Sequence, residues 1–453
     1  MTGDGKKKTR MSPLISAADL NIPVLGPPHV DSPLLSLLPQ SSWQEIFIDE
    51  SERILLEPDI RTIQGCLDKG EKIPSFETAG PRMKIYFDPS NVSAAIVTCG
   101  GICPGLNDVI RSLVMTLSHR YGVKKILGIR NGYQGFIEKY GTAPLNLTPE
   151  TVSDIHKKGG TFLGTSRGNQ SVTEIIDFME RRNIGMLFVI GGDGSQRGAL
   201  EIAQMTQKKG MKTAVVGIPK TVDNDILYLD RSFGFATAAS VACRVIETAH
   251  NEAVSQPNGI GLVKFMGRYS GFITCLAALA VNDANFVLIP EVPFKLDGEN
   301  GFLARLKERL QRRSHAVVLV AEGAGQDLIP SEGGGRDASG NIRFKDIGIF
   351  LKDKINDYFK KEKMEVSLKY IDPSYIIRAV PAMPVDNVYC YLLGENAVHA
   401  AMSGRSEMVV GLVNNQYVHI PMRMIAQGRK QVDPNGPLWF SVLETTGQPA
   451  EMG

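Results

Sequence analysis

The stretch Met186 to Leu200, Met-Leu-Phe-Val-Ile-Gly-Gly-Asp-Gly-Ser-Gln-Arg-Gly-Ala-Leu, constrains the fold more than any other. Met186 to Ile190 is a short apolar run with β-branched residues, which suits a buried parallel strand. Gly191, Gly192 and Gly194 follow at once and let the backbone approach a ligand closely. Helical residues resume near Gln196, so the turn is expected at a helix N-terminus, where N–H groups and the dipole favour phosphate. Asp193 adds a carboxylate, the group that holds Mg2+ beside bound phosphates. A plain glycine-rich strand-to-helix turn reads the same way, so the surroundings decide.

They repeat the pattern. Ala94 to Thr98 is a strand, followed by Cys99-Gly100-Gly101-Ile102-Cys103-Pro104-Gly105 and a helix over Leu106 to Tyr121. Gly159 to Gly168 is a loop of glycines and hydroxyls in which Arg167 can fork onto phosphate. Thr213 to Ile218 is a strand that ends in Pro219-Lys220-Thr221-Val222-Asp223-Asn224-Asp225, two close carboxylates at the edge where open α/β sheets bind ligands. They could equally be turn formers. Phe233 to Val254 reads as a long helix and Ile260 to Phe265 as a strand, before Met266-Gly267-Arg268 and the helix Phe272 to Val281. Ala316 to Val320 is a strand ending in Ala321-Glu322-Gly323, Ser331 to Asn341 a Gly-rich surface loop, and Ile347 to Lys361 a helix. Lys369 to Arg378 is extended, Ala397 to Met402 a short helix, and Met408 to Ile420 a hairpin turning on Asn414-Asn415. Strands alternating with helices predict α/β layers with a mostly parallel sheet in each of two domains. Every charged or glycine cluster follows a strand, so one cleft between the domains is expected.

Composition narrows the function. A net charge of +2 over 453 residues points to neither nucleic acid nor a membrane surface. No run of 18 apolar residues occurs. The six cysteines lack zinc-site spacing and read as reduced thiols. The Lys-rich start, Met1 to Arg10, lacks a secretory core or transit-peptide character, so a cytoplasmic protein is expected.

Four motifs, Gly191-Gly192-Asp193-Gly194-Ser195, Pro219-Lys220-Thr221-Val222-Asp223-Asn224-Asp225, Met266-Gly267-Arg268 and Ala321-Glu322-Gly323, stand in the order found in 6-phosphofructokinases. The chain resembles that family from about Ala94 to at least Pro421. Thr98 to Asp108 and Tyr370-Ile371-Asp372-Pro373-Ser374-Tyr375 are similar to its plant and protist ATP-dependent branch. The resemblance implies two Rossmann-like parallel-sheet domains with an N-terminal extension: residues 1–90 the extension, 91–235 an ATP-binding domain completed by about 377–425, and 236–376 a sugar-phosphate domain completed by about 426–453. It implies an allosteric, glycolytic kinase, usually a homotetramer, that moves the γ-phosphoryl of ATP to the 1-hydroxyl of fructose 6-phosphate with Mg2+.

By resemblance Asp223 is the base, Asp225 keeps the pocket's polarity, and Thr221 touches the reacting region. Arg268 and Arg167 offset transition-state charge, and Asp193 holds Mg2+. Gly101, Arg167, Gly168, Gly192, Gly194 and Ser195 line ATP. Val222, Met266, Gly267 and Glu322 hold the sugar, and Lys369, Tyr375, Ile376, Ile377 and Arg378 the sugar or its 6-phosphate. An arginine expected seven residues before Met266 is Gly259 here, Lys369 stands for another arginine, and Tyr375 replaces a histidine. Donor choice falls on Gly194 and Lys220. Pyrophosphate users carry Asp at the first, which would crowd the α-phosphate of ATP, and lysine at the second. Glycine leaves room, so ATP is expected. Two rivals are a NAD or lipid kinase, which also carries Gly-Gly-Asp-Gly, and a regulatory subunit without turnover.

Overall fold

The computed structural model describes residues 20–330, 335 and 344–453. The Gly-rich loop read at Ser331 to Asn341 lies, Gly335 apart, outside the described residues, as does Met1 to Arg10.

A nine-stranded sheet runs in the order Arg53–Leu55, Ser75–Thr78, Gln416–Pro421, Met408–Val413, Ala214–Pro219, Ile184–Gly191, Ser93–Thr98, Lys125–Ile129, Leu145–Asn146. Its five strands from Met408–Val413 to Lys125–Ile129 are parallel, and the flanking pairs are antiparallel. A second sheet, Phe286–Leu288, His315–Ala321, Gly259–Phe265, Ser367–Ile371, is parallel throughout. Continuous apolar strands are what a sheet covered on both faces needs. Alternate residues serve opposite faces: Phe188 and Ile190 join one core cluster, Leu187 and Val189 another. The first cluster continues through Ala238, Ala242 and Ile246 of the helix Phe235–Val254 to Val263, Phe265, Val317 and Leu319 of the small sheet. The two lobes therefore share an apolar seam, and the turns that follow their strands face each other across a cleft.

Three local readings change. Helix Leu106–Met115 ends before Tyr121 in a wider π-type turn, Thr116–Arg120. The short helix read at Ala397 to Met402 is the end of a 19-residue helix, Pro384–Met402. Its C-terminal half is buried on nearly every side, so no apolar stripe marked it. The segment before residue 90, read as an extension outside the two domains, contributes to the main sheet. Ser75–Thr78 pairs with Gln416–Pro421, and Phe76 is fully buried against the main sheet. All six cysteines are free thiols, four of them buried.

Candidate active site

Gly192 caps the helix Asp193–Lys208, which begins three residues earlier than its sequence pattern indicates, so Asp193 occupies its first turn. The buried Gln196 amide fastens this turn by donating to the carbonyls of Val189, Gly191 and Ile218. Tyr133 adds a bond from its hydroxyl to the Ser195 carbonyl at 2.7 Å. A Cβ on Gly191 would meet Ser195 at 2.4 Å, whereas one on Gly194 would meet nothing within 4 Å. The first glycine is needed for packing; the second leaves open space over the helix end.

The neighbouring strand delivers the acidic turn. Thr221 Oγ1 donates to Asp225 Oδ1 at 3.0 Å and accepts from the Asp223 N–H at 3.1 Å. The Ser232 hydroxyl donates to the Thr221 carbonyl, and Asn224 stands at φ 55°, held by Ser232 and Lys430. Asp223 Oδ1 is sealed from solvent without a hydrogen-bond partner. Burial, then the charges of Asp225 and Glu322, push the Asp223 carboxyl up to about 8. Burial also raises the Asp193 and Glu322 carboxyls and lowers the Lys220 ammonium. This concentration of displaced acidities marks a chemical site.

The small sheet supplies the opposite wall. Met266, Arg268 and Tyr269 follow Gly259–Phe265, Glu322 follows His315–Ala321, and Asp372, Ser374, Tyr375 and Arg378 follow Ser367–Ile371. Gly267 at φ 128° and Gly323 make the first two turns possible: a Cβ would lie 2.4 Å from the Ser270 carbonyl in one and 2.0 Å from the Arg268 carbonyl in the other. The Ser270 hydroxyl crosses to the Asp223 carbonyl at 3.0 Å.

These walls enclose a cleft of about 500 Å3. Its lining includes Gly101, Arg167, Gly168, Gly192, Asp193, Gly194, Ser195, Lys220, Thr221, Val222, Asp223, Asp225, Met266, Arg268, Glu322, Tyr375 and Arg378. Arg378 and Arg167 converge near Gly101, within 3.5 and 3.8 Å of where its Cβ would stand. Four expected residues are placed otherwise. Gly267 is buried within its turn; Lys369 is exposed on the edge strand; Ile376 is exposed at 59%; Ile377 is fully buried in the core. Gly259 has no room for the missing arginine, since a Cβ would strike the Ala253 carbonyl at 2.0 Å.

Sequence reading missed three contributors. Arg429 bridges Asp193 and Asp225 at 2.9 and 2.8 Å. Lys264 lines the cleft and pairs with Asp346 at 2.6 Å and Asp372 at 2.8 Å. Tyr269 lies under the Arg429 guanidinium, 4.4 Å away. Lys264 and Tyr269 flank Met266-Gly267-Arg268 and were findable there; nothing around Arg429 marked it. Among the described residues no cluster of three or more His, Cys, Asp or Glu forms a metal cage, and no helix is long and apolar enough to cross a membrane.

A profile described as phosphofructokinase matches residues 93–401. The chain is 49% identical over 442 residues to an ATP-dependent 6-phosphofructokinase of Borreliella burgdorferi, covering 96% of this chain and 98% of that protein. It is 47% identical over 437 residues to ATP-dependent 6-phosphofructokinase 7 of Arabidopsis thaliana, covering 96% and 87%. Among solved structures, a pyrophosphate-dependent phosphofructokinase of Marinobacter aquaeolei superimposes with TM-score 0.65 at 20% identity, covering 78% of this chain and 91% of that one, a likeness of fold alone. The turns described above thus sit in a known scaffold: the chain belongs to the phosphofructokinase family.

Proposed function

We infer that the chain transfers the γ-phosphoryl of ATP to the 1-hydroxyl of fructose 6-phosphate, giving fructose 1,6-bisphosphate and ADP, the committed step of glycolysis. One observation carries this reading. Asp223 presents a sealed, unpartnered carboxyl oxygen in a cleft walled on one side by glycine turns at strand ends and on the other by Arg268, Glu322 and Arg378. Asp223 takes the proton of the 1-hydroxyl as its oxygen bonds the γ-phosphorus, and the bond from that phosphorus to the bridging oxygen breaks with ADP leaving. Arg268 and Arg167 balance the charge on the transferring group from the sugar and nucleotide sides. Met266, Glu322, Tyr375 and Arg378 face the sugar phosphate, and Gly101, Gly168, Gly192 and Ser195 the nucleotide.

The residues fit Mg2+. Asp193 and Asp225 come close enough to share one guanidinium, the one-or-two-carboxylate arrangement this ion uses beside phosphates. When bound it supplies charge neutralisation across the phosphate oxygens. ATP is favoured as donor by the open space at Gly194 and by the names of the relatives. The buried Lys220 in the same cleft is shared with pyrophosphate users, but the ATP-dependent plant and protist branch combines it with glycine at the other position, as here. A cytoplasmic, allosteric homotetramer rests on the resemblance. A coupled assay with fructose 6-phosphate and each donor tests the function: turnover with ATP above that with pyrophosphate is expected, and the reverse, or no turnover, overturns it.

A further inference from the structure

Arg429 has no part in the reaction as described, yet it holds both carboxylates assigned to the metal. Nη2 meets Asp193 Oδ2 at 2.9 Å and Nη1 meets Asp225 Oδ2 at 2.8 Å. Its guanidinium plane is steadied by the Tyr269 ring. The chain around it is anchored to both lobes. The Lys430 N–H donates to the Asp225 carbonyl at 2.8 Å, Gln431 Nε2 to the Tyr269 carbonyl at 2.9 Å, and the Val432 N–H to Glu291 at 2.8 Å.

We propose that Arg429 is a built-in counter-ion of the metal site: it neutralises Asp193 and Asp225 in the nucleotide-free protein and yields both carboxylates to a divalent cation. This rests on the phosphotransfer reading, in which those carboxylates hold Mg2+. Two acidic side chains brought together under partial burial repel, and a fork with two donors is suited to hold them. A free cation must displace that fork and so binds weakly. A cation arriving with a polyphosphate brings anionic oxygens that can receive the released guanidinium, which its anchored neighbours keep in the cleft. The arrangement selects the metal–nucleotide complex over the bare metal.

The test is Mn2+ binding to the whole chain, read by electron paramagnetic resonance with and without ADP, in the unmodified protein, Arg429→Met, Arg429→Lys, Asp193→Asn and the double variant Arg429→Met/Asp193→Asn. Without nucleotide, Arg429→Met is expected to bind Mn2+ about tenfold more tightly than the unmodified protein. Arg429→Lys, which keeps the charge without the fork and guards against misfolding of the Met variant, falls between. The gain vanishes in the double variant. Equal Mn2+ affinity in Arg429→Met, Arg429→Lys and the unmodified protein, with weakened binding in Asp193→Asn, overturns the inference and leaves the metal assignment standing. Unchanged Mn2+–ADP binding in Asp193→Asn instead removes the metal assignment, and the inference with it.

Discussion

The Ser270 hydroxyl donates to the Asp223 carbonyl at 3.0 Å, joining the turn that carries the proposed base to the turn that carries Arg268. The proposed base and the proposed charge-balancing arginine come from different sheets, yet this bond spaces their turns directly. Asp223 is thereby fixed on both sides, by Thr221 within its own strand end and by the facing lobe.

Replacing Asp223 with Asn should lower turnover by about 10²- to 10⁴-fold while fructose 6-phosphate still binds, because only proton acceptance is lost. The same change should raise the melting temperature. Burial lifts this carboxyl from its ordinary value to about 8, so its ionisation opposes folding. The sign follows: the unmodified protein loses stability from this group as pH rises from about 4 to 8, and Asn does not. Calorimetry at pH 5 and pH 8 should show a larger gain at pH 8. A gain that shrinks with pH contradicts the assignment.

The base works only when ionised, so kcat/KM should climb with pH and level off above about 8 in the substrate-free state. Glu322 is one of the charges that raise Asp223, after burial and Asp225. Glu322→Gln should therefore move the rising limb to lower pH, alongside any loss of sugar affinity. A limb that stays in place shows that another group titrates.

Gly194→Asp should depress activity with ATP by at least about tenfold and spare activity with pyrophosphate. The space above Gly194 is open, and an aspartate there adds bulk and charge at a helix N-terminus beside Asp193. Initial rates with each donor check this; an unchanged preference removes Gly194 from donor choice.

Most of the cleft was readable because glycine turns and charged residues after apolar strands have few other uses. Gly191, Asp193, Asp223 and Arg268 sit in unbroken local motifs, and each strand end delivers its motif to one face. Arg429 was not readable, because its partners are distant in sequence and only the fold brings it to Asp193 and Asp225. Lys369 is a different case. The resemblance implied a ligand role, and the side chain stands exposed on the edge strand, while Tyr375 and Arg378, on the turn beyond, line the cleft. The sheet's added strands were hidden in a Pro- and Ser-rich segment whose two short pairings lack a clear period. Phe76→Ala tests their weight: full burial predicts a loss of about 3–5 kcal/mol in denaturant unfolding.

Lys264 offers the sharpest test of the proposed sugar wall. It stands two residues before Met266 on an inner strand of the small sheet and pairs with Asp346, which caps the helix Ile347–Lys361, and with Asp372, which opens the turn bearing Tyr375 and Arg378. Burial pushes both carboxyls up, but Lys264, together with the Ile349 N–H and Tyr370 at Asp346 and with Ser374 at Asp372, outweighs it and holds them below the usual range. Lys264→Met leaves two facing carboxylates without their shared cation, and the turn should drift from the strand. Both carboxylates are about one-third exposed, so solvent screening limits the stability loss to about 1–2 kcal/mol. The larger effect should fall on binding: KM for fructose 6-phosphate rises about tenfold or more, KM for ATP stays within about twofold, and Lys264→Arg restores most of the difference. A variant that melts earlier yet keeps its sugar KM would make Lys264 a fold residue, because a clamp on the Asp372 turn cannot loosen without moving Arg378.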